Sequence, residues 1–112
     1  MLKQRDIVLI PVPFTDLSSA KRRPVLVLSS DTHCQSPPDM LVAAITSHLT
    51  DSLPGVVINS TDMELGALPR QSLIRADKLY TLSQANIIKP YGRLNQASFE
   101  DVLEALDSVL GR

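Results

Sequence analysis

At 112 residues, with 44% hydrophobic and 21% charged residues, the chain has the make-up of an ordinary globular protein of one domain, 1–112. A formal net charge of −1 excludes a protein that coats nucleic acid through bulk positive potential, and the single cysteine, Cys34, excludes an intrachain disulfide. The signs are uneven: residues 1–93 hold ten Lys/Arg and eight Asp/Glu, whereas residues 94–112 hold four acids and Arg112 alone.

Lys3 and Arg5 precede an apolar run that Asp6, Pro11 and Pro13 interrupt, too short and too broken for a signal segment or a membrane span. The expectation is a cytoplasmic protein with no membrane contact. Asp6–Val12 reads as a first strand, and Phe14–Arg22 as a polar loop rich in hydroxyls and then cations. Arg23–Ser29 reads as a second strand: Pro24 is tolerated at a strand start, and Val25–Leu28 is a continuous apolar run of the kind buried on both faces. This reading sets the guanidinium of Arg23 at the mouth of a rigid element, a suitable start for a site that handles phosphate. The alternative is a solvated basic turn over Lys21, Arg22 and Arg23.

Ser30–Asp39 reads as a loop stiffened by Pro37 and Pro38, and Met40–Thr46 as a third strand. Ser47–Gly55 is a turn region, and Val56–Asn59 a short fourth strand. Ser60–Arg70 is a longer loop around a brief extended piece. Ser72–Arg75 and Lys78–Thr81 flank Ala76–Asp77, as two strands or one bent strand. Ser83–Asn86 is a turn, and Ile87–Leu94 a last strand containing Pro90. The period then changes. Phe99, Val102, Leu103, Leu106, Val109 and Leu110 follow helical spacing, with Asn95 or Ser98 as the start, Ser98 and Asp101 at capping-box spacing, and Gly111 as the stop. Acids in the first turns suit the helix dipole. Short strands punctuated by Gly and Pro, with one helix, predict a mainly β fold: a small barrel or half-open roll closed by that helix.

Four stretches in this order resemble the MazF/PemK family of toxin ribonucleases, above all its PemK-like branch: DIVLIPVPFTDLSSAKRRPVLVLS, VAAITS, LIRADKLYTL and IKPYGRLNQASFEDVLEALDSVL, together spanning Asp6 to Leu110. The resemblance implies an SH3-like barrel of MazF/PemK/CcdB type with a C-terminal helix. It implies a type II toxin that cuts single-stranded RNA, mRNA above all, at short sequences without metal or cofactor. It further implies a homodimer restrained by a cognate antitoxin, with promoter DNA bound only through the antitoxin complex. The family's arginine of the Arg-Pro pair falls on Arg23, and its hydroxyl residue at the end of the third strand on Thr46; these carry the chemistry in relatives. The loop that closes over RNA corresponds to Phe14–Lys21, so Phe14, Thr15, Ser18, Ser19 and Lys21 become candidate substrate contacts, with Arg22 beside them. Asp31 and Ser47 join them, with Asp77 and Lys78 lining the other side.

The residues themselves suit those roles. Metal-independent RNA cleavage uses the neighbouring 2′-hydroxyl as nucleophile, so the protein must stabilise a charged phosphorane and move protons. Arg23 can hold two phosphate oxygens and stays charged, which makes it an electrostatic stabiliser and a poor base. Thr46 offers a hydroxyl that orients phosphate or 2′-OH. His48 lies two residues past Thr46, on the same face if the strand continues, and is read as a loop residue or RNA contact, with proton transfer as the alternative. His33 and Cys34 are read as neighbours in a solvated loop, short of the ligands a zinc site needs. Asp77 orients Arg75 or Lys78, or is a turn residue; Lys78 is a substrate contact or a surface lysine. Phe14 suits base stacking and Tyr80 the core. Val-, Ile- and Leu-rich strands exceed what one helix covers, which supports the dimer. Two other readings stay open: a toxin-fold protein that no longer cuts, and a barrel that only binds nucleic acid or antitoxin.

Overall fold

The computed structural model describes residues 2–13, 20–35, 38–49 and 54–112. Its strands are β1 (Asp6–Pro13), β2 (Ala20–Val27), β3 (Asp39–Thr46), β4 (Gly55–Ile58), β5 (Met63–Gly66), β6 (Ser72–Ser83) and β7 (Lys89–Leu94). They form a curled antiparallel half-barrel of seven strands in the order β4-β6-β3-β2-β1-β7-β5. A short helix α1 (Asp31–Gln35) links β2 to β3, and α2 (Gln96–Leu110) ends the chain.

The central ladder joins β3 to β6 from Asp39↔Ser83 to Thr46↔Leu73. Its register shifts between Ala43 and Ala44, whose partners are Leu79 and Arg75. Ala76, Asp77 and Lys78 are therefore extra residues on β6, a bulge that bends one continuous strand. The region is one bent strand rather than two.

Side-chain alternation divides the apolar residues between the two faces of the sheet. Ile7, Leu26, Ala43, Ile45, Ile58, Ile74 and Leu94 face α2 and pack with its Phe99 and Val102. Val8, Ile10, Val12, Val25, Val27, Met40 and Val42 face the other way and pack with Cys34 of α1. Each such side chain that leaves water contributes about 1.5–3 kcal/mol.

Pro24 sits inside β2, opposite Leu9. The carbonyl of Leu9 accepts from the amide of Ile88, so the polar groups of Leu9 turn toward β7. The Leu9–Pro24 pair thus exchanges no ladder hydrogen bond, and the missing N–H of proline costs nothing there. Pairing of β2 with β3 starts only at Val25↔Ala44. Arg23 is accordingly not at a strand mouth: β2 begins three residues before it, at Ala20.

Gly66 and Gly92 face each other across β5 and β7, with φ of 75° and 147°. A Cβ on either would lie 2.0 Å from a carbonyl oxygen of the opposite strand, so the close approach requires glycine at both places.

Asn95 caps α2 by accepting from Ser98 N–H, and Gly111 ends it in the left-handed conformation. Ser98 is inside the helix instead of capping it, and its Oγ donates to Asp62 Oδ1 at 2.8 Å. Val109 and Leu110, expected on the buried stripe, are 42% and 63% exposed because the helix outruns the core. The stretch expected to be an irregular loop after β2 contains α1, and Cys34 is buried there rather than solvated. Burial, followed by the charges of Asp31 and Asp6, pushes its thiol pKa up. No helix among the described residues is long and apolar enough to cross a membrane.

Candidate functional site

The β2–β3 ladder runs from Val25↔Ala44 to Val27↔Val42, and Arg23 and Thr46 each lie two residues beyond its Val25↔Ala44 end. Two steps along a strand return a side chain to the same face, so both share the face of Val25 and Ala44. On that face Arg23 stands opposite Ile10 of β1, and Thr46 opposite Leu73 of β6. Val57 of β4 pairs with Leu73 in turn, so Thr46, Leu73 and Val57 form one rung, with the Ile10–Arg23 pair on the same face of the sheet. Both Arg23 and Thr46 are half-buried.

The neighbouring rung carries Arg75, opposite Ala44 on one side and Gly55 on the other. Arg75 is a diagonal neighbour of Thr46, a separation of about 7–8 Å that a long side chain bridges. Its Nε donates to Asp77 Oδ1 at 3.1 Å and its Nη2 to Asp77 Oδ2 at 2.8 Å. This bidentate hydrogen bond holds the Asp77 carboxyl below the usual carboxylate range and raises Arg75, with burial opposing both shifts. The bulge is what carries Asp77 back onto Arg75.

His48 donates its backbone N–H to Thr46 Oγ1 at 3.1 Å. The hydroxyl oxygen is thereby engaged as an acceptor, and its hydrogen is left to donate outward. β3 ends at Thr46, as the sequence pattern indicates, so Ser47 and His48 lie in an exposed bend and His48 does not share the strand face of Thr46.

Alternation divides the cation run. Lys21, opposite Val12, shares the face of Arg23; Arg22, opposite Pro11, lies on the other face. Asp31 opens α1 at the far end of β3 from Thr46, and an eight-residue strand spans roughly 25 Å. There it accepts from the Gln4 amide at 2.7 Å and faces Lys3 Nζ at 3.9 Å. Lys78 is an exposed residue of the bulge. This face therefore carries Arg23 and Thr46, with Lys21, Arg75 and Asp77 near them, and leaves Arg22 and Asp31 elsewhere. Phe14, Thr15, Ser18 and Ser19 lie outside the described residues. Among the described residues no group of three or more His, Cys, Asp or Glu side chains could hold a metal ion.

A family model described as PemK-like, MazF-like toxin of type II toxin–antitoxin system matches residues 3–110. Solved structures share the fold. An endoribonuclease from a mycobacterial species, in complex with its cognate antitoxin, is 16% identical at a TM-score of 0.81, over 99% of this chain and 96% of that one. Mycobacterium tuberculosis toxin MazF-mt6 is 20% identical at 0.78, over 96% and 97%. A MazE–MazF crystal structure from Deinococcus radiodurans (form III) is 19% identical at 0.78, over 98% and 96%. No curated protein sequence matches the chain.

Proposed function

The chain belongs to the PemK-like, MazF-like toxins of type II toxin–antitoxin systems, and from that premise we propose that it is an endoribonuclease cutting single-stranded RNA at short sequences by attack of the substrate's own 2′-hydroxyl. The observation that supports this reading is the common face of Arg23 and Thr46, a permanent cation and a hydroxyl donor on neighbouring strands of a rigid sheet.

In this reading the scissile phosphate lies on that face, over Arg23 and Thr46. Arg23 binds its non-bridging oxygens bidentately, and the contact strengthens as the phosphorane gains charge. Thr46, its oxygen already engaged by the His48 amide, donates to the phosphate and fixes its orientation. Arg75 adds a second cation one rung away. A phosphate oxygen that takes donors from Arg75 loosens its hold on Asp77, whose pKa then rises toward the ordinary carboxylate range. In this scheme Asp77, so released, takes the 2′-hydroxyl proton. The 2′-oxygen bonds to phosphorus, the bond to the 5′-oxygen breaks, and that oxygen takes a proton from solvent. The products are a 2′,3′-cyclic phosphate and a 5′-hydroxyl. No cofactor enters the scheme.

The neighbours solved with antitoxins support a cognate antitoxin as the physiological partner. We place it over the Lys21–Arg23 face as an acidic segment competing with RNA, on a homodimer of this chain, with promoter DNA bound through the antitoxin complex alone. Incubation of the purified protein with mixed single-stranded RNA in EDTA tests the cleavage reading. New ends that are cyclic phosphate and 5′-hydroxyl support it. Intact RNA that is nevertheless retained identifies a binding barrel instead.

A further inference from the structure

Resting on that cleavage reading, we propose that Val57 of β4, beside Gly55, is the apolar floor of a subsite for the nucleobase next to the scissile phosphate. Val57 pairs with Leu73, which pairs with Thr46, so it stands on the rung of Thr46 and on the face that also carries Arg23. Two strand spacings separate Val57 from Thr46, about 10 Å, within reach of the base of a nucleotide whose phosphate sits on Thr46.

The exposure of Val57 is not a general property of its strand. Ile58 is fully buried in the core and Val56 packs against it, whereas Val57 is 49% exposed on the face of the candidate site. One rung further along, Arg75 is flanked by Gly55 and Ala44, which rise little or not at all above the backbone. Gly55 has no room to be larger, because a Cβ there would lie 2.6 Å from the carbonyl oxygen of Ile74. The Leu73 side chain leans over Gly55, its Cδ1 3.0 Å from where a Cβ there would stand, and is itself buried, so Val57 is the apolar side chain of this rung that solvent reaches. A flat base fits against it while its phosphate remains with the cations. Val57 has no hydrogen-bonding side-chain group, so it reads contact area rather than base edges and favours the larger face of a purine.

Val57→Thr keeps shape and strand preference while replacing a methyl by a hydroxyl, and Val57→Phe enlarges the platform. Both variants, with wild-type melting curves, are tested on a random single-stranded RNA library by sequencing the cut ends and by kinetics on one preferred oligonucleotide. Val57→Thr is expected to raise KM about tenfold with kcat within about twofold, and to weaken the base preference at one position flanking the cut. Val57→Phe is expected to sharpen that same preference. The salt dependence stays the same in both, because no charge changes. A wild-type protein that cuts while both variants keep its KM and cut-site profile overturns the subsite alone. A wild-type protein that leaves the library intact removes the cleavage reading, and this subsite with it.

Discussion

Asp77 grips the fork of Arg75 at both prongs, Oδ1 on Nε and Oδ2 on Nη2, and does so from a bulge that sets it outside the regular ladder. The hydrogen bond from Arg75 is the main reason the Asp77 carboxyl titrates below its usual range. A carboxylate with a depressed folded-state pKa contributes stability that is complete above its unfolded value and is lost as pH falls through the folded one. Melting temperature should therefore decline as the solution is acidified through and below the ordinary carboxylate range. Asp77→Asn should remove part of that decline and leave stability at neutral pH lower by about 1 kcal/mol or less, since the pair is partly exposed.

The same pair carries a kinetic expectation. Asp77→Asn keeps the size of the side chain and removes its capacity to take a proton, so single-turnover cleavage should slow by about 100-fold or more. Arg75→Lys retains a positive charge without the fork and should also slow cleavage, by roughly tenfold. Equal rates for wild type and Asp77→Asn would remove the proton-accepting role.

Thr46 is expected to act through its hydroxyl alone. Thr46→Ala should lose activity by a factor on the order of 10–1000, with Thr46→Ser retaining much of the rate. An inert Thr46→Ser would count against a donor role, because serine offers the same donor at the same place. The measurement is the single-turnover rate at saturating protein.

Much of this arrangement was legible in the residues. The apolar runs located the core strands, Pro24 fitted a strand, and Asn95 and Gly111 bounded the C-terminal helix. The bend at Ala76–Asp77 was visible as a break in pattern, but its consequence was not. Leu73 and Arg75 occupy one face of β6 before the bulge, and Tyr80 and Leu82 occupy that same face after it, so odd positions give way to even ones. Period-two reading has no means of detecting that change, and Arg75 was consequently considered only as a partner for Asp77. The three adjacent cations Lys21, Arg22 and Arg23 read as one patch, yet a strand sends the middle one to the opposite face. Helix α1 left no periodic signal, since the five residues DTHCQ are too few to show a helical period.

Phe99 anchors α2 over the sheet and is 2% exposed among Ile7, Leu26, Ile58 and Leu94. Phe99→Ala should cost about 3–5 kcal/mol of folding stability, read from the midpoint of a denaturant titration at unchanged m-value. Asn95→Ala removes only the cap and should cost about 1 kcal/mol. A Phe99→Ala loss no larger than that of the cap would mean that the helix adds little to the core.

The central claim is that Arg23, on the sheet face it shares with Thr46, stabilises the charge that builds on a breaking RNA phosphodiester. Its most direct test is the single-turnover cleavage rate of Arg23→Ala against wild type, on one single-stranded RNA in EDTA, with both proteins shown to melt alike. Wild type is expected to release a 2′,3′-cyclic phosphate, and Arg23→Ala to be slower by about 1000-fold or more. An Arg23→Ala protein cutting at the parental rate would contradict that claim.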